Sequence, residues 1–318
     1  MTNAILRGKP DAGNPHVRFD EGEVASAKPR RGSLLYIDRK TIERAARELG
    51  AAKFGIGDLS LFAGEDPRRD PKMVCPKAKC LIGFGIPVPK GLYRTMKDGS
   101  QFYTYTTLGV KAIDEEYFEI FLFKMASLIE DAGYDACLQR TTPNLKVKGD
   151  KTCNPETVGI YELKYASPVE AGKPPPDVIL DFGKAARVCG LGWPGRSGRI
   201  VNREFGPFMR YAFIITDADL ETNPPFADDL CAGCAACAVA CDAGCIDAAT
   251  GRTDGADAAT GPVGGLAVAT GLDTWKCWEH YNKARGSALP RTQWGYQACL
   301  CGKKCDVACY ERLVGHLL

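Results

Sequence analysis

The sequence predicts an α+β protein in two parts, a mixed helix-and-strand domain followed by a cysteine-rich domain. Between residues 36 and 222, segments with a helical spacing of apolar residues alternate with short apolar runs typical of buried strands. Downstream, ten of the fifteen cysteines fall between Cys231 and Cys309. The chain has 318 residues, 45% of them hydrophobic, which is enough for one large core and a smaller unit.

Composition divides the chain further. Residues 1–35 are polar and rich in glycine, proline and charge, which indicates an extended arm. Residues 36–222 form the first predicted domain, and its boundary lies in the turn-rich stretch ETNPPFADD. Residues 223–318 form the second, interrupted by an insertion at 248–271. That insertion is rich in glycine, alanine and threonine, which predicts a surface spacer.

The first domain opens with a predicted helix in DRKTIERAARELGA. Its apolar residues recur at helical spacing, namely Ile42, Ala45, Ala46 and Leu49. Gly50 stands where a C-cap glycine belongs. KFGIGDL and CLIGFGIPV are short apolar runs that contain glycines, and they predict buried strands.

The longest helical pattern is GVKAIDEEYFEIFLFKMASLIEDAGYDA, and we expect Gly133 to end it. Its predicted apolar stripe comprises Ile113, Tyr117, Ile120, Phe121, Lys124 and Leu128. Residues 141–176 show little periodicity and many prolines, glycines and lysines. They predict a long loop, and a loop of this length in a compact domain is often functional.

Three later stretches complete the predicted elements. DVILDFGKAARVCGLGW predicts a short helix that leads into a glycine-rich turn. RYAFIITDADL predicts a strand, because its apolar residues first alternate and then run continuously. CDVACYERLVGHLL, at the C-terminal end, predicts another short helix.

Charge and hydropathy limit the kinds of partner and cellular location that the sequence supports. The formal net charge of +2 gives no indication of binding to nucleic acid or to an anionic membrane. The sequence has no run of 18 apolar residues, so no membrane span is predicted. The first 22 residues lack the apolar core of a signal peptide. We therefore expect a cytoplasmic location, where cysteines are reduced thiols rather than disulfides.

Four cysteines, Cys231, Cys234, Cys237 and Cys241, have the spacing C-x2-C-x2-C-x3-C of a bacterial ferredoxin segment. In that segment three thiolates bind one [4Fe-4S] cluster and the fourth binds a neighbouring cluster. Zinc is the main alternative, but structural zinc is bound by two separated pairs around one ion. The chain has only three histidines, so thiolate is the ligand it offers. The spacing therefore favours iron–sulfur clusters.

Two clusters need eight thiolates, and the downstream cysteines can supply the rest. With crossed ligation, the first cluster is bound by Cys231, Cys234, Cys237 and Cys309. The second is bound by Cys241, Cys277, Cys301 and Cys305, and Cys299 could replace Cys301. Cys245 has no assigned place. We interpret the five scattered cysteines as ordinary small buried side chains, namely Cys75, Cys80, Cys137, Cys153 and Cys189.

The stretch before the cysteines, RVCGLGWPGRSGRIVNREFGPFMRYAFIITDADLETNPPF, resembles the cobalamin-dependent reductive dehalogenases and their relatives, the epoxyqueuosine reductases. The likeness rests on Gly190-Leu191-Gly192-Trp193, on Gly195-Arg196, on Glu204-Phe205-Gly206-Pro207 and on the strand from Arg210 to Asp217. The order of glycine turn, strand and cysteine motif is also that of the family. NPHVRFDEGEV and TWKCWEHYNKA look more like the dehalogenase branch.

This resemblance implies a nitroreductase-like α/β domain that binds cobalamin, followed by a ferredoxin-like domain with two [4Fe-4S] clusters. The chain has no D-x-H-x-x-G motif, which agrees with a cobalamin that has no protein ligand below the metal. An external donor such as a ferredoxin or flavodoxin would supply electrons to one cluster, and the other cluster would pass them to the cobalt.

The resemblance also implies a proton donor in the substrate pocket, because cleavage of a carbon–halogen bond consumes a proton as well as electrons. Tyr161 and Tyr165 lie about where the family has its donor tyrosine, and Arg210 resembles the pocket arginine. Asp177 lies near the aspartate of the epoxyqueuosine branch. The alternatives are core tyrosines, a surface arginine at a strand end and a helix N-cap aspartate.

The glycine turn is the predicted cofactor contact. Gly190, Gly192 and Gly195 would let the backbone approach a flat cofactor closely, with Trp193 and Arg196 beside them. An ordinary tight turn is the alternative for the glycines.

The resulting hypothesis is a cobalamin-dependent reductive dehalogenase that acts on a small organohalide. One alternative is an epoxyqueuosine-reductase-like enzyme of tRNA modification, although the net charge does not indicate nucleic-acid binding. The other is a two-cluster electron-transfer protein without a corrinoid. The sequence does not indicate an oligomeric state.

Overall fold

The computed structural model describes residues 37–140, 168–174, 178–248, 271–273, 276, 277, 280 and 301–316. The described residues from 38 to 316 belong to one compact unit. Within the described ranges, no helix is long and apolar enough to cross a membrane. The predicted boundary near residue 222 and the predicted insertion at 248–271 stay predictions.

The strands are β1 (Lys53–Asp58), β2 (Cys80–Pro87), β3 (Ala136–Gln139), β4 (Trp193–Pro194), β5 (Ile200–Val201) and β6 (Met209–Thr216). Four of them form an antiparallel sheet in the order β1-β2-β6-β3, and β4 pairs with β5 in a separate ribbon. The strands predicted in KFGIGDL, CLIGFGIPV and RYAFIITDADL are confirmed as β1, β2 and β6. The two central strands, β2 and β6, are buried along most of their length, as their continuous apolar runs predict.

The α-helices are α1 (Arg39–Glu48), α2 (Pro71–Val74), α3 (Lys90–Lys97), α4 (Phe102–Thr106), α5 (Phe118–Asp131), α6 (Phe182–Val188), α7 (Ala236–Val239) and α8 (Lys304–Leu313). A 3-10 helix spans Leu59–Phe62, and a π-helix spans Thr107–Tyr117. The helices predicted in DRKTIERAARELGA, DVILDFGKAARVCGLGW and CDVACYERLVGHLL are confirmed as α1, α6 and α8.

Both ends of helix α1 are formed by the capping residues that the local sequence contains. The side chain of Asp38 accepts a hydrogen bond from the backbone N–H of Thr41 at 2.8 Å, which caps the N-terminus. Gly50 has a φ of 87°, and its N–H donates to the carbonyl of Arg47 at 2.9 Å. Glycine adopts this left-handed conformation without strain, so the C-cap expected at Gly50 is confirmed.

The sheet and helix α6 pack unusually closely. A Cβ atom built on Gly55 of β1 would lie 2.0 Å from the carbonyl oxygen of Cys189, just beyond α6. A Cβ on Gly57 would lie 2.6 Å from a methyl group of Val188. The glycines of KFGIGDL therefore let α6 approach β1, and this contact fixes the start of the glycine turn against the sheet.

The predicted stripe of the long helix is confirmed at Ile113 and Phe121, which are buried, but wrong at Tyr117, Ile120 and Lys124, which are exposed. The segment begins as the π-helix, which has more residues per turn than an α-helix, so the buried face rotates before α5 begins. The buried residues of α5 are Phe118, Phe121, Leu122, Met125, Ala126 and Ile129. Ile120 is 60% exposed and Tyr117 is 41% exposed, and Lys124 also faces outward. The hydroxyl of Tyr117 instead donates to the carbonyl of Leu49 at the end of α1.

The scattered cysteines that the structure describes are mostly ordinary core residues, as interpreted from the sequence. Cys75, Cys80 and Cys189 are buried, and Cys137 is half-buried. The thiol of Cys80 donates to the carbonyl of Ala218, and that of Cys189 to the carbonyl of Leu81, each at 3.3 Å. Cys153 lies outside the described residues.

Candidate cluster-binding site

Four cysteines from two distant segments form what we call the first thiol group: Cys231, Cys234, Cys237 and Cys309. Three come from the turn before and within α7, and Cys309 comes from α8. Burial raises the pKa of Cys309, and the carboxylate of Asp306 and the other three thiols raise it further. The structure therefore brings together the four cysteines that the spacing assigned to one cluster.

The first thiol group lies beside the glycine turn. Cys231 is buried with Trp193, Val201 and Leu230, and Cys309 packs against the same cluster. The backbone N–H of Arg196 donates to the Sγ atom of Cys231 at 3.3 Å.

Arg196 is itself buried, with 7% of its surface exposed. Its guanidinium donates to the carbonyls of Asp247 and Ala248 at 3.0 and 3.2 Å. Burial raises the pKa of the Cys237 thiol to about 11, and the charge of Arg196 opposes that rise. The arginine predicted to contact a corrinoid thus contacts the cysteine group and fixes the loop that follows Cys245.

Five cysteines form the second thiol group: Cys241, Cys245, Cys277, Cys301 and Cys305. The Sγ atoms of Cys241 and Cys245 are 3.2 Å apart. Cys241, Cys277 and Cys305 pack against a buried cluster that contains Cys245 and Cys237. Cys301 lies close enough to Cys305 to affect its pKa. The four cysteines predicted to bind the second cluster therefore lie in one group, together with Cys245. Their roles as ligands stay predictions.

Cys245 and Cys277 form a hydrogen-bonded pair of thiols. The hydrogen bond from Cys245 lowers the pKa of Cys277 to about 6, against the opposing effect of burial. The same hydrogen bond, together with burial, raises the pKa of Cys245. This hydrogen bond favours the thiolate form of Cys277 and the thiol form of Cys245.

Charged side chains surround the second thiol group. Asp306 is 2% exposed, and its carboxylate lies 3.4 Å from Nε of Arg199. Burial raises the pKa of Cys305, and the charges of Lys303 and Arg199 oppose that rise. The same two charges help the hydrogen bond from Cys245 to lower the pKa of Cys277. Lys304 pairs with Asp242 at 2.6 Å. These cations would compensate the negative charge that several thiolates bring.

A cleft of about 410 Å³ opens beside the second thiol group. On one side it is lined by Met96, Lys97 and Phe102 of α3 and α4. On the other side it is lined chiefly by Asp242, Cys301, Gly302, Lys304, Val307 and Glu311. Lys97 and Glu311 form an ion pair of 2.5 Å across it.

An aromatic contact joins α8 to the sheet side of the molecule. The rings of Tyr93 and Phe208 are stacked with centroids 4.1 Å apart, and Tyr310 lies 5.3 Å from Tyr93. Gly206 has a φ of 54°, and a Cβ atom there would lie 3.1 Å from Cα of Tyr310. The EFGPF turn therefore positions the helix that carries Cys305 and Cys309.

The glycine turn is filled by protein atoms. A Cβ on Gly192 would lie 2.7 Å from the carbonyl oxygen of Val201, and one on Gly195 would lie 2.8 Å from that of Arg199. Gly190 has a φ of 72°, and a Cβ on it would lie 3.0 Å from the carbonyl oxygen of Pro224. Packing of the chain on itself accounts for these three glycines, so their contact with a cofactor stays a prediction.

Trp193 belongs to the same turn. It is buried, and the guanidinium carbon of Arg187 lies 4.6 Å from the centroid of its ring. This contact fits a cation–π interaction that fastens the turn to α6. A contact of Trp193 with a cofactor also stays a prediction.

Arg210 is not the surface arginine that was one alternative. Its side chain is 16% exposed and forms a bidentate pair with Asp114 of the π-helix, with Nε at 2.8 Å from Oδ1. Asp114 is itself buried. Such a pair holds the guanidinium in a fixed plane at the start of β6. Asp114 was not singled out from the sequence, although it directly follows Ile113 of the predicted stripe.

Several predicted site residues lie outside the described residues: Tyr161, Tyr165, Asp177 and Cys299. Their proposed roles stay predictions. Asp306, Arg199 and Arg187 were not singled out from the sequence, because nothing local distinguishes a buried charge from a surface charge.

The chemistry of the donor set fits iron–sulfur clusters, because its ligating atoms are thiol sulfurs. Among the described residues, no three Cys, His, Asp or Glu side chains are arranged to hold one metal ion. A [4Fe-4S] cluster needs four grouped thiolates, each bound to a different iron, so its ligands need not converge on one point. Thiolate is also the soft ligand that such clusters use.

The chain is similar in sequence to epoxyqueuosine reductases. No family model matches the chain. It is 26% identical over 176 residues to the epoxyqueuosine reductase of Lactococcus garvieae (strain Lg2), which is 55% of this chain and 41% of that protein. It is 39% identical over 56 residues to that of Leadbetterella byssophila, which is 18% of each chain. The chain thus spans less than half the length of these two relatives.

The fold is similar to that of a catabolic reductive dehalogenase. The structure of that dehalogenase in complex with 3-bromo-4-hydroxybenzoic acid has a TM-score of 0.52 at 16% identity, covering 89% of this chain and 36% of that chain. Another structure of it has a TM-score of 0.53 at 15% identity, covering 90% and 36%. The expected closeness to the dehalogenase branch is not confirmed, because both sequence relatives given above are epoxyqueuosine reductases.

Proposed function

We propose that the protein is an iron–sulfur oxidoreductase related to reductive dehalogenases and epoxyqueuosine reductases. The first thiol group carries this proposal, because Cys309 of α8 joins three cysteines that lie about 70 residues earlier in the chain. That is the crossed arrangement expected for two clusters. The first cluster is bound by the first thiol group, and the second by Cys241, Cys277, Cys301 and Cys305.

We propose cobalamin as the further cofactor, which the fold similarity to a reductive dehalogenase supports. When bound, cobalamin supplies a metal centre that takes up electrons and breaks a bond of the substrate. The described glycines pack against the protein itself and show no cradle for a corrin, so no step is derived through it. Electrons reach the protein from an external donor such as a ferredoxin or flavodoxin.

Arg210 is the described residue best suited to hold a substrate. Its pairing with Asp114 keeps its charge fixed and its rotamer restricted, so it can hold a phenolate or a halide without reorganising. Tyr161 or Tyr165 would donate the proton, with Asp177 as a further candidate. The substrate we propose is a small organohalide.

A second candidate substrate is epoxyqueuosine in tRNA. It is favoured by the sequence similarity to two epoxyqueuosine reductases. A third candidate, an electron carrier without a corrinoid, needs only the two thiol groups.

Metal analysis tests the proposal. The full chain is purified without oxygen, reconstituted with iron, sulfide and cobalamin, and analysed for both metals. We expect about eight irons, from two cubanes, and one cobalt per chain. Binding of iron but not of cobalamin would favour the third candidate, the electron carrier without a corrinoid. Absence of iron would contradict the whole proposal.

Substrate assays then separate the two reductase activities. Halide release from halogenated phenols is expected for the dehalogenase, and loss of the epoxide from an epoxyqueuosine-containing tRNA stem loop for the alternative. Arg210→Gln should abolish the activity found, whereas Arg203→Gln is the matched control. Arg203 pairs with Asp228 on the surface, and its side chain is 68% exposed.

A further inference from the structure

Cys245 is a buried thiol that the two proposed clusters do not use. Two [4Fe-4S] clusters need eight thiolates, and the crossed arrangement fills all eight places without it. Yet Cys245 is 4% exposed, and its Sγ atom lies 3.2 Å from Sγ of Cys241. It also forms a hydrogen bond with Cys277. Two proposed ligands of the same cluster therefore contact one further thiol.

The backbone holds this thiol in place. Gly244 has a φ of 55°, and its N–H donates to the carbonyl of Cys241 at 2.9 Å, which closes a tight turn. The carbonyl of Cys245 accepts a hydrogen bond of 2.8 Å from the N–H of Asp273. Ile246 then forms an antiparallel bridge with Leu272. Cys245 is thus anchored on both sides with its sulfur directed at the ligand group.

The short distance sets what Cys245 can do. A sulfur atom 3.2 Å from Sγ of Cys241 needs only a small movement of the turn, or a change of rotamer, to reach the position of that atom. The first thiol group offers no such substitute within itself, because all four of its thiols are ligands of the proposed first cluster.

Given the proposed function, we propose that Cys245 is a reserve ligand of the second cluster, which binds the iron of Cys241 when the thiolate of Cys241 is missing. One iron–sulfur bond forms from Cys245 in place of the bond from Cys241. The thiol proton of Cys245 passes to solvent, and no electron is transferred. Cys245 therefore makes this one ligand position redundant.

The test compares iron content among four forms of the full chain, each reconstituted without oxygen. They are the wild type, Cys241→Ala, Cys245→Ala and the double variant. We expect Cys241→Ala to keep the iron content of the wild type, with a changed electron paramagnetic resonance signal from the second cluster. Cys245→Ala alone should keep both clusters. The double variant should lose half of its iron, and Cys309→Ala, which has no reserve thiol, should lose half as a single variant.

The outcomes separate this inference from the proposed function. If the single variant Cys241→Ala loses half of its iron, the reserve role of Cys245 is wrong. The proposed function would be unaffected, because the wild type would still bind both clusters. A wild type without iron would instead contradict the proposed function.

If Cys241→Ala proves insoluble, Cys241→Ser keeps the side-chain volume and asks the same question. Addition of Cys245→Ala to Cys241→Ser should change the absorption and resonance spectra, because an all-thiolate cluster becomes one with an oxygen ligand. Identical spectra of these two variants would overturn the proposal.

Discussion

The two thiol groups begin in one motif but lie in different surroundings. Cys237 and Cys241 are four residues apart, yet Cys237 joins the first group, and Cys241 joins the second. The first group has four thiols and packs on Trp193 and Leu230, beside the buried Arg196. The second has five thiols, several charged neighbours and an open cleft. One ligand spacing can thus serve a closed site and an open one.

This difference separates the roles of the two sites. The first group adjoins the glycine turn, where Cys231 packs with Trp193 and accepts a hydrogen bond from the N–H of Arg196. The second borders a cleft through which a partner's electrons could arrive, and electron transfer favours the shorter path. We therefore propose that electrons enter at the second cluster and leave from the first.

The largest expected effect is the loss of one whole cluster. Cys309→Ala removes a ligand that belongs to the first group, so iron per chain should fall by half, and the resonance signal of one cluster should disappear. Cys75→Ala is the matched control, since Cys75 is a buried cysteine outside both groups. An unchanged iron content in Cys309→Ala would contradict the assignment of Cys309 as a ligand of the first cluster.

Thiol reactivity should distinguish the groups in the metal-free protein. Cys277 has a lowered pKa of about 6, so it is a thiolate at pH 7, whereas Cys237, with a pKa raised to about 11, is protonated. Iodoacetamide should therefore alkylate Cys277 roughly 100-fold faster, after allowance for the weaker nucleophilicity of a low-pKa thiolate. Peptide mass spectrometry measures both rates. The alkylation rate at Cys277 should fall below pH 6 as Cys277 becomes protonated. The ratio should rise between pH 7 and pH 6 and then level off, because both thiolate fractions fall about tenfold per pH unit below pH 6. A ratio of one at pH 7 would contradict the pairing with Cys245.

The support shared by the two groups can be tested at Gly206. Gly206→Ala places a Cβ in a left-handed conformation and 3.1 Å from Cα of Tyr310, so it strains the contact with α8. We expect about 2 kcal/mol of lost unfolding free energy, with both clusters released at the same denaturant concentration. Gly64→Ala is the control, because Gly64 has a φ of 80° with no atom within 4 Å of the added Cβ. It should cost about 1 kcal/mol. Release of only one cluster would show that α8 does not support both.

Arg196 should tune the first cluster alone. Its N–H donates to Cys231, and its charge stabilises the more negative, reduced cluster. Arg196→Gln should lower the reduction potential of the first cluster by an amount on the order of 60 mV, a tenfold change for one electron, and leave the second unchanged. Potentiometric titration followed by resonance spectroscopy measures both. An equal shift in the reduction potentials of both clusters would show that Arg196 does not act on the first cluster alone.

Local patterns predicted most of the secondary structure, but they did not predict which face of the long helix is buried. The ends of α1 followed from Asp38 and Gly50, because caps depend on neighbouring residues. The stripe through Tyr117 and Ile120 was wrong, because the π-helix before α5 changes the spacing, and no local signal announces it.

The sequence by itself determined the thiol inventory and three of the four strands of the sheet, since composition and periodicity are properties of the sequence and of neighbouring residues. The crossed ligation by Cys309 stays a prediction from the spacing. Tertiary structure decided which distant groups meet. It placed Arg196 on Cys231, it paired Arg210 with Asp114 across 96 residues, and it added Cys245 to the second thiol group. Those contacts depend on how α6, α8 and the sheet pack, and packing joins residues that no local pattern relates.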